Sequence, residues 1–394
     1  MIVEILNTNV LNKGAQLMLA AIVDKLRNDL STATLCVRPH ERRLPYEECC
    51  RLGIRLKLPP KIGFVSLQNI QSWVPQRLRQ AYGVVMESEV DAMLDASGFA
   101  YSSQWGDSAL KVMAERSQQW HKEGKRVVLM PQAFGPFETL KQKAWMRKIV
   151  ESSRLVFARD PKSLEYLREC ADDAENIHIA PDLTIGYGCH PPGVEHGESL
   201  HGHSLIHSAQ HAVIVPNARI VDKGAASSGD SYVTRLACIA RFVHERGYPV
   251  AFLIHEGKED HDLAQRVIGE LSFECALWRP NDATEIKHVL GHARLVIASR
   301  FHALVSALSN CVPVVAMGWS HKYRCLLEDF GMGNFLIGNE DELNTEEISL
   351  FDELLNTESY DQRLISLHES QKRQYSAWKG MWDRVLSQLR EFEK

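Results

Sequence analysis

The feature that most constrains the fold is a regular alternation of short apolar, β-branched runs with longer segments of helical period. This alternation is typical of α/β units built on parallel sheets. Runs with strand character lie in the first half at 2–6, 33–37, 91–95, 126–131, 155–158 and 177–180. A second set lies at 212–216, 250–255, 276–278, 295–299 and 312–317. The sequence therefore predicts an α/β protein with two Rossmann-like domains and parallel sheets.

The two sets of strands also predict the domain boundaries. We expect an N-terminal domain at 1–186, a linker or loop at 187–210, a C-terminal domain at 211–350, and C-terminal helices at 351–394 that pack back across the domains. A length of 394 residues suits two domains, and we expect the chemistry in a cleft between them. The linker and the residue directly after it carry six histidines: His190, His196, His201, His203, His207 and His211. Because they lie in a Gly/Pro/Ser-rich stretch and not on one helical face, we predict no metal site.

Charge and cysteine usage exclude several classes of protein. A net charge of −5 provides no broad basic field, so nucleic acid is not an expected partner. No apolar run approaches the roughly 20 residues of a membrane span, which leaves at most peripheral membrane association. The start of the chain has no secretion signal, and nine cysteines without a Cys-x-x-Cys pattern fit a reducing compartment. We therefore expect a cytoplasmic protein.

The most informative segment is 295–308, an apolar strand that ends in polar residues and opens directly into a helix. Ligands of open α/β sheets bind at such strand ends, where the following helix offers unpaired N–H groups to an anion. Arg300 and His302 lie at this junction. A guanidinium binds carboxylate or phosphate and an imidazole carries a proton, so the pair suits acid–base chemistry on an anionic substrate. The alternative interpretation is an ordinary helix cap.

Several motifs in a fixed order carry a resemblance to a known family. Residues 299–302 read Ser-Arg-Phe-His, and Pro-Val-Val-Ala at 313–316, Lys322 and Leu-Leu-Glu-Asp-Phe-Gly at 326–331 follow them. Earlier pieces are Asn-Lys-Gly-Ala at 12–15, Asp-Ala-Ser-Gly at 95–98, Pro-Gln at 131–132, Ala-Arg-Asp at 158–160, Pro-Asp at 181–182 and Pro-Asn-Ala-Arg at 216–219. Together they resemble the polysaccharide pyruvyl transferases. The resemblance implies two Rossmann-like domains facing a cleft, as in the GT-B arrangement, with the donor held mainly by the second domain.

The resemblance also implies donor-site residues in the second half. Arg219, Arg300 and His302 correspond to the family's donor-binding and catalytic positions, and Ser299 and Lys322 fall in the same motifs. Two arginines can hold the carboxylate and the phosphate of phosphoenolpyruvate, so no metal or other cofactor is expected. His302 either protonates the donor's methylene carbon or hydrogen-bonds the departing phosphate. A helix-surface position is the alternative for Lys322.

The segment 254–260 follows another strand of the second half. Its first polar residue, His255, is a further candidate ligand for the donor. The alternative interpretation is a solvated loop, because charged residues dominate the segment.

The first half is expected to bind the acceptor sugar. The candidates lie at or just after predicted strand ends, and they are Asn12, Gly14, Asp95, Gln132, Arg159, Asp160 and Asp182. Any of the three aspartates is a candidate general base, and the alternative for each residue is a structural role. Asp160 stands before Pro161, which is a common helix N-cap arrangement. Ala15 departs from the Gly-Asp of many family members, so the first loop is not expected to act as an acid.

These expectations combine into one function and two alternatives. The resemblance implies transfer of the enolpyruvyl-derived group of phosphoenolpyruvate onto sugar hydroxyls as a cyclic ketal, in polysaccharide or exopolysaccharide biosynthesis. The acceptor is free, nucleotide-linked, lipid-linked or polymeric, and the sequence does not indicate an oligomeric state. One alternative is a GT-B glycosyltransferase with a nucleotide-sugar donor, since fold does not determine chemistry. The other is a non-catalytic binding protein of a polysaccharide assembly complex.

Overall fold

The protein divides into two compact α/β units. The computed structural model describes residues 1–38, 43–58, 61–62, 65–66, 75–188, 211–222, 229–318, 320–338 and 340–391. The first unit comprises Met1–Leu183 and Trp378–Lys394, and the second comprises Thr184–Ala377. The predicted linker lies outside the described residues from position 189 to position 210. Five of the six histidines singled out above also lie outside the described residues. The sixth, His211, has its ring centre 5.2 Å from that of Trp278.

The first unit is built on a parallel sheet of eight short strands. Its strands are β1 (Ile2–Leu6), β2 (Thr34–Val37), β3 (Arg55–Lys57), the antiparallel pair β4 (Lys61–Ile62) and β5 (Val65–Ser66), β6 (Val84–Val85), β7 (Ala92–Asp95), β8 (Arg126–Gln132), β9 (Leu155–Ala158) and β10 (Ile177–Ile179). All except β4 and β5 form one sheet in the order β10-β9-β8-β7-β1-β2-β3-β6. β7 and β9 are buried along their whole length, as expected where both faces of a parallel sheet are covered.

Helices connect the parallel strands of the first unit. They are α1 (Lys13–Asp29), α2 (Tyr46–Arg51), α3 (Gln76–Ala81), α4 (Ser108–Lys122), α5 (Leu140–Ser152) and α6 (Pro161–Cys170), with 3₁₀ turns at Glu87–Glu89 and Ser103–Trp105. Side chains cap several helix starts. The Asn12 side chain accepts from the Ala15 amide before α1, and Asp160 accepts from the Ser163 amide before α6. The caps begin each helix close to the end of the preceding strand.

The second unit repeats this architecture with six parallel strands. They are β11 (Ala212–Val215), β12 (Val250–Leu253), β13 (Ala276–Trp278), β14 (Leu295–Ala298), β15 (Val314–Met317) and β16 (Leu336–Ile337), in the order β13-β12-β11-β14-β15-β16. Its helices are α7 (Arg219–Asp222), α8 (Gly229–Glu245), α9 (Gly257–Gly269), α10 (Ala283–Leu290), α11 (Phe301–Leu308), α12 (His321–Asp329), α13 (Thr345–Leu355) and α14 (Thr357–Arg390), with a 3₁₀ turn at Gly333–Phe335. The predicted fold class, α/β with two domains and parallel sheets, is confirmed.

The last helix, α14, contributes its final turns to the first unit. The Trp378 indole donates to the carbonyl of Leu183 at 2.8 Å, and Trp382 is fully buried. The Arg126 guanidinium pairs with Glu391 at 2.7 Å. Among the residues with described positions, none of the helices is both long and apolar enough to span a bilayer.

All eleven predicted strands are present, with ends within two residues of the expected positions. The sequence did not predict the two- or three-residue strands β3, β4, β5, β6 and β16. Two residues cannot show the period-2 pattern that marks a strand, and the three residues of β3, Arg-Leu-Lys, have little apolar character.

Candidate active site

Each sheet has one point where the strand order reverses. In the first unit, β1 and β7 lie side by side there, with Leu6 opposite Asp95. In the second unit, β11 and β14 lie side by side, with Val215 opposite Ala298. Ligands of open α/β sheets bind outside the carboxyl ends of strands at such switch points. The residues that follow these four strands are therefore the candidates for substrate contact.

At the second switch point, Ser299 is held from three sides. Its carbonyl accepts from the Asn217 amide group at 2.8 Å and from the Tyr323 hydroxyl at 3.1 Å. Its hydroxyl lies 2.7 Å from the hydroxyl of Tyr232. Ser299 is fully buried. Its hydrogen bond with Asn217 joins the segment that follows β11 to the segment that follows β14. This network holds the backbone that carries Arg300.

Arg300 is paired with two carboxylates from the start of α9. One Nη atom donates to Glu256 at 2.5 Å, and the other donates to both oxygens of Asp260 at 2.8 and 2.6 Å. Asp260 is almost fully buried and also accepts from the backbone amides of Ala218 and Glu256 at 3.0 and 3.2 Å. A buried carboxylate with this many donors is well satisfied. Asp260 therefore ties together the loops that follow β11, β12 and β14.

Arg219 differs from Arg300 in its exposure. Its side chain is 64% exposed, and its guanidinium lies 4.0 Å from the same Glu256 oxygen that Arg300 contacts. The Arg219 backbone amide donates to the Asn217 side chain at 3.1 Å, which holds the start of α7 against the strand end. We call Arg219, Glu256, Asp260 and Arg300 the arginine cluster. Within it, Arg219 is the guanidinium most accessible to solvent.

The remaining predicted donor residues lie beside this cluster or near it in the chain. His302 is half-buried in the first turn of α11, with its ring 5.4 Å from that of Phe301. The Lys322 ammonium lies 5.4 Å from the ring centres of both Phe301 and Tyr323, which places the starts of α11 and α12 together. His255 follows β12 and is buried. The N-termini of α11 and α12, with Arg300 and Lys322 beside them, therefore lie at the carboxyl edge of one sheet. Helix N-termini and cations in this arrangement favour the binding of anions.

The first switch point has a buried carboxylate as well, but its partners are uncharged. Asp95 has no exposed surface. One of its oxygens accepts from Asn7 at 2.7 Å and Ser97 at 2.6 Å, and the other accepts from Tyr101 at 3.0 Å and Gln132 at 3.1 Å. Burial raises the pKa of Asp95, and these four hydrogen bonds act against the rise. We call these five residues the Asp95 cluster.

Two members of the Asp95 cluster reach solvent. Asn7 is exposed and Ser97 is half-buried. Asn7 also donates to the Ser97 hydroxyl at 2.9 Å and adopts a positive φ of 58°. A non-glycine residue in this conformation is uncommon and is often found at functional sites. The buried Asp95 is thus linked to these two solvent-accessible side chains by hydrogen bonds.

The other predicted acceptor residues lie outside the Asp95 cluster as defined above. Arg159 and Asp182 form a buried ion pair at 3.0 Å. Asp160 accepts from the amide and hydroxyl of Ser163, in agreement with its alternative role as a cap. Asn12 caps α1, and Gly14 is buried in the first turn of that helix. Asp95 and Gln132 thus share the Asp95 cluster, and the Arg159 backbone amide donates to the Gln132 carbonyl at 3.0 Å. Contact of any predicted acceptor residue with an acceptor stays a prediction.

Sequence reasoning missed or misread several of these residues. The interpretation of 254–260 as a solvated loop does not hold for its two ends, because His255 and Asp260 are buried and Glu256 pairs with Arg300. The three residues between Glu256 and Asp260 are exposed. The spacing of Glu256 and Asp260 was the available signal, since residues four apart lie on one side of a helical turn. Ser97 and Asn217 lie in motifs that carried the family resemblance but were not assigned as site residues, and the residues missed altogether are Asn7, Tyr101, Tyr232 and Tyr323.

Comparisons with known proteins agree with this architecture. The family model of polysaccharide pyruvyl transferase matches residues 12–321. Three solved structures cover at least 98% of this chain and at least 98% of their own. They are a UDP-GlcNAc 2-epimerase from Neisseria meningitidis bound to UDP-GlcNAc (12% identity, TM-score 0.60), a glycosyltransferase from Rickettsia africae (12%, 0.58) and HepE from Anabaena with UDP-glucose (12%, 0.54). At these identities the likeness concerns the fold, and it agrees with the expected GT-B-like class. The comparison with curated proteins gave no match.

Proposed function

The chain belongs to the polysaccharide pyruvyl transferase family, and from this premise we propose that it transfers the enolpyruvyl-derived group of phosphoenolpyruvate onto two hydroxyls of a sugar as a cyclic ketal. The family resemblance expected from the motifs is confirmed, and the family indicates a transferase of polysaccharide pyruvylation. The observation that carries the finer proposal is the arginine cluster at the second switch point. It sets two guanidinium groups around one position that already holds a carboxylate oxygen.

The donor fits this cluster through its charge. Phosphoenolpyruvate carries a carboxylate and a phosphate, and guanidinium groups bind both kinds of anion in forked geometry. We assign the exposed Arg219 and the anchored Arg300 to the two anionic ends, with Lys322 adding charge from the start of α12. Ser299 and the buried His255 support these groups from the strand ends. The proposal includes no metal or cofactor other than phosphoenolpyruvate as co-substrate.

The reaction balances with these groups alone. One sugar hydroxyl attacks the central carbon of the donor, and the methylene carbon takes up a proton and becomes a methyl group. The bond from the central carbon to the phosphate oxygen breaks, and a second hydroxyl of the sugar closes the ring at the same carbon. The two sugar hydroxyls release two protons. One of them restores the acid that protonated the methylene carbon, and the other leaves with phosphate. The products are the ketal and hydrogen phosphate.

His302 is our candidate for the proton transfer. It lies four residues after the end of β14 and two after Arg300, in the first turn of α11. In one role its imidazolium protonates the methylene carbon, and in the other it hydrogen-bonds the departing phosphate. The two roles separate by a solvent kinetic isotope effect on kcat, because the methyl group takes its new hydrogen from exchangeable protons in either case. Proton transfer from the imidazolium in a rate-limiting step slows turnover several-fold in deuterium oxide, whereas a hydrogen bond to the departing phosphate leaves only a small effect.

The acceptor is assigned to the Asp95 cluster because its accessible groups are uncharged hydrogen-bonding groups. A sugar hydroxyl that donates to the Ser97 oxygen uses the lone pair left after that oxygen accepts from Asn7. The Ser97 hydroxyl donates a hydrogen bond to Asp95 at 2.6 Å. When the Ser97 oxygen takes up the proton of the sugar hydroxyl, Ser97 can pass its own proton to the Asp95 carboxylate. Asp95 is thus our first candidate for the general base. The sugar acceptor is proposed from the family, and the cytoplasmic location is proposed from the cysteine pattern.

Phosphate release from phosphoenolpyruvate in the presence of a panel of sugar acceptors tests the function. We expect acceptor-dependent release, a product mass that includes the ketal, and roughly a thousandfold lower kcat in His302→Ala. Arg241→Ala is a matched control, because this cation is 45% exposed on α8 and pairs with Glu270 away from the cluster. Absence of turnover together with binding of a nucleotide sugar would instead support a glycosyltransferase.

A further inference from the structure

The Glu256 carboxylate occupies the position that an anionic ligand of the two arginines would take. A single oxygen of this side chain lies 2.5 Å from Arg300 and 4.0 Å from Arg219. The Glu256 side chain is only 11% exposed, so the pair with Arg300 is largely shielded from water. Ion pairs shielded in this way are stronger than exposed ones. The chain therefore carries its own carboxylate in the arginine cluster.

The backbone holds Glu256 in this place. Its amide donates to Asp260 at 3.2 Å, and it is the residue directly before α9. Asp260 in turn binds the second Nη atom of Arg300 with both of its oxygens. The two acids thus take different nitrogens of one guanidinium. Movement of the Glu256 side chain alone frees one Nη atom, while Asp260 keeps the guanidinium in position.

We propose that Glu256 is a specificity-determining residue, an internal anion that an incoming ligand must displace from Arg219 and Arg300. The inference rests on the proposed function, because it takes the donor to bind these arginines. A monocarboxylate brings no more charge than Glu256 and gains little by exchange. A ligand with both a carboxylate and a phosphate brings more charge and reaches both arginines at once. Glu256 thus weakens the binding of a ligand whose charge cannot replace its own pair with Arg300.

The same exchange bears on product release. When the ketal has formed, hydrogen phosphate remains with the cations and has lost its link to the carboxylate. Return of the Glu256 carboxylate to Arg300 then competes with phosphate for the same Nη atom. Glu256 therefore disfavours pyruvate-like ligands before the reaction and favours release of phosphate after it.

Direct binding to Glu256→Gln, which removes the charge and keeps the size, tests the proposal. The matched control is Glu259→Gln, an exposed acid three residues later on α9. Titration calorimetry with sulfate, pyruvate and phosphoenolpyruvate is compared among the two variants and the wild type. We expect sulfate and pyruvate to bind about tenfold more tightly to Glu256→Gln, since one charge-assisted pair no longer competes. The preference for phosphoenolpyruvate over pyruvate falls, and Glu259→Gln behaves as the wild type.

Unchanged or weaker binding of sulfate and pyruvate to Glu256→Gln would overturn the proposal, because Glu256 would then only orient Arg300. Circular dichroism checks whether the side-chain amide introduced in Glu256→Gln disturbs the fold. If it does, Glu256→Ala replaces it in the same binding measurement. Failure of the proposed function looks different. In that case the wild type neither binds nor turns over phosphoenolpyruvate, while tighter sulfate binding to Glu256→Gln still supports Glu256 as an internal competitor. Steady-state kinetics adds a second readout, a lower KM for phosphoenolpyruvate with slower phosphate release.

Discussion

The two switch points are built around the same element, a buried carboxylate, but they surround it with different partners. Asp95 is held by neutral side-chain donors from the first unit. Asp260 is held by a guanidinium and two backbone amides, and a second acid and a second arginine lie beside it. Neutral polar groups suit a polyhydroxyl ligand, whereas guanidinium groups suit an anion that can replace one of the carboxylates paired with them. The difference teaches that two units with one fold are specialised by the residues that follow their strands.

The largest expected effect separates the two clusters by substrate. Arg300→Ala should lower kcat/KM for phosphoenolpyruvate about a thousandfold, because a guanidinium aimed at developing charge is lost. Asn7→Ala should instead raise KM for the acceptor about tenfold, since one neutral hydrogen bond is lost. Steady-state kinetics with each substrate varied in turn measures both. A rise in acceptor KM for Arg300→Ala with an unchanged donor KM would reverse our assignment of the units.

The second effect is on stability. Asp260→Ala should lower the free energy of unfolding by about 3 kcal/mol, because it leaves the buried Arg300 without its bidentate partner. Asp95→Ala should cost less, about 2 kcal/mol, since only neutral donors lose an acceptor. Urea denaturation, followed by fluorescence and circular dichroism to detect separate transitions, measures the two values. Equal costs would mean that charge does not distinguish the clusters.

The third effect is the pH dependence of the Asp95 cluster. Burial raises the pKa of Asp95 in the folded state above its ordinary value of 3.8. At a pH between the ordinary pKa and the folded-state pKa, the folded state therefore binds more protons than the unfolded state. The contribution of Asp95 to stability is therefore fully present below pH 3.8 and declines as the pH rises towards the folded pKa. Asp95→Asn should lack this decline. Unfolding at pH 4 to 7 measures it, and a wild type that gains stability relative to the variant as the pH rises would contradict it.

The smallest expected effects concern residues that cap helices outside both clusters. Asn12→Ala and Asp160→Ala should each lower the free energy of unfolding by about 1 kcal/mol, the usual value of a lost N-cap. Asn12→Ser and Asp160→Ser keep a capping oxygen and should lose much less. Acceptor KM decides between the cap and the predicted acceptor contact. If the serine variants are stable and yet raise acceptor KM severalfold, these residues belong to the acceptor site.

Sequence reasoning performed best where the signal is local. The long runs of β1, β9 and β14 are apolar and β-branched, and their positions followed from composition and period. The outer strands β3, β6 and β16 carry two or three residues each, and pairing with a neighbour, not their own pattern, makes them strands. The cap at Asp160 was an alternative that the Asp-Pro pair already indicated.

The α/β class, the repeat of the strand pattern, the family, and the position of Arg300 and His302 just beyond a strand all follow from the sequence alone. All of these depend on neighbours in the chain. The pairing of both Nη atoms of Arg300 with Glu256 and Asp260, which lie 44 and 40 positions away, is visible only in the folded protein. The physical reason is that parallel strands bring the ends of β11, β12 and β14 together, and the sequence between them does not record which side chains meet there.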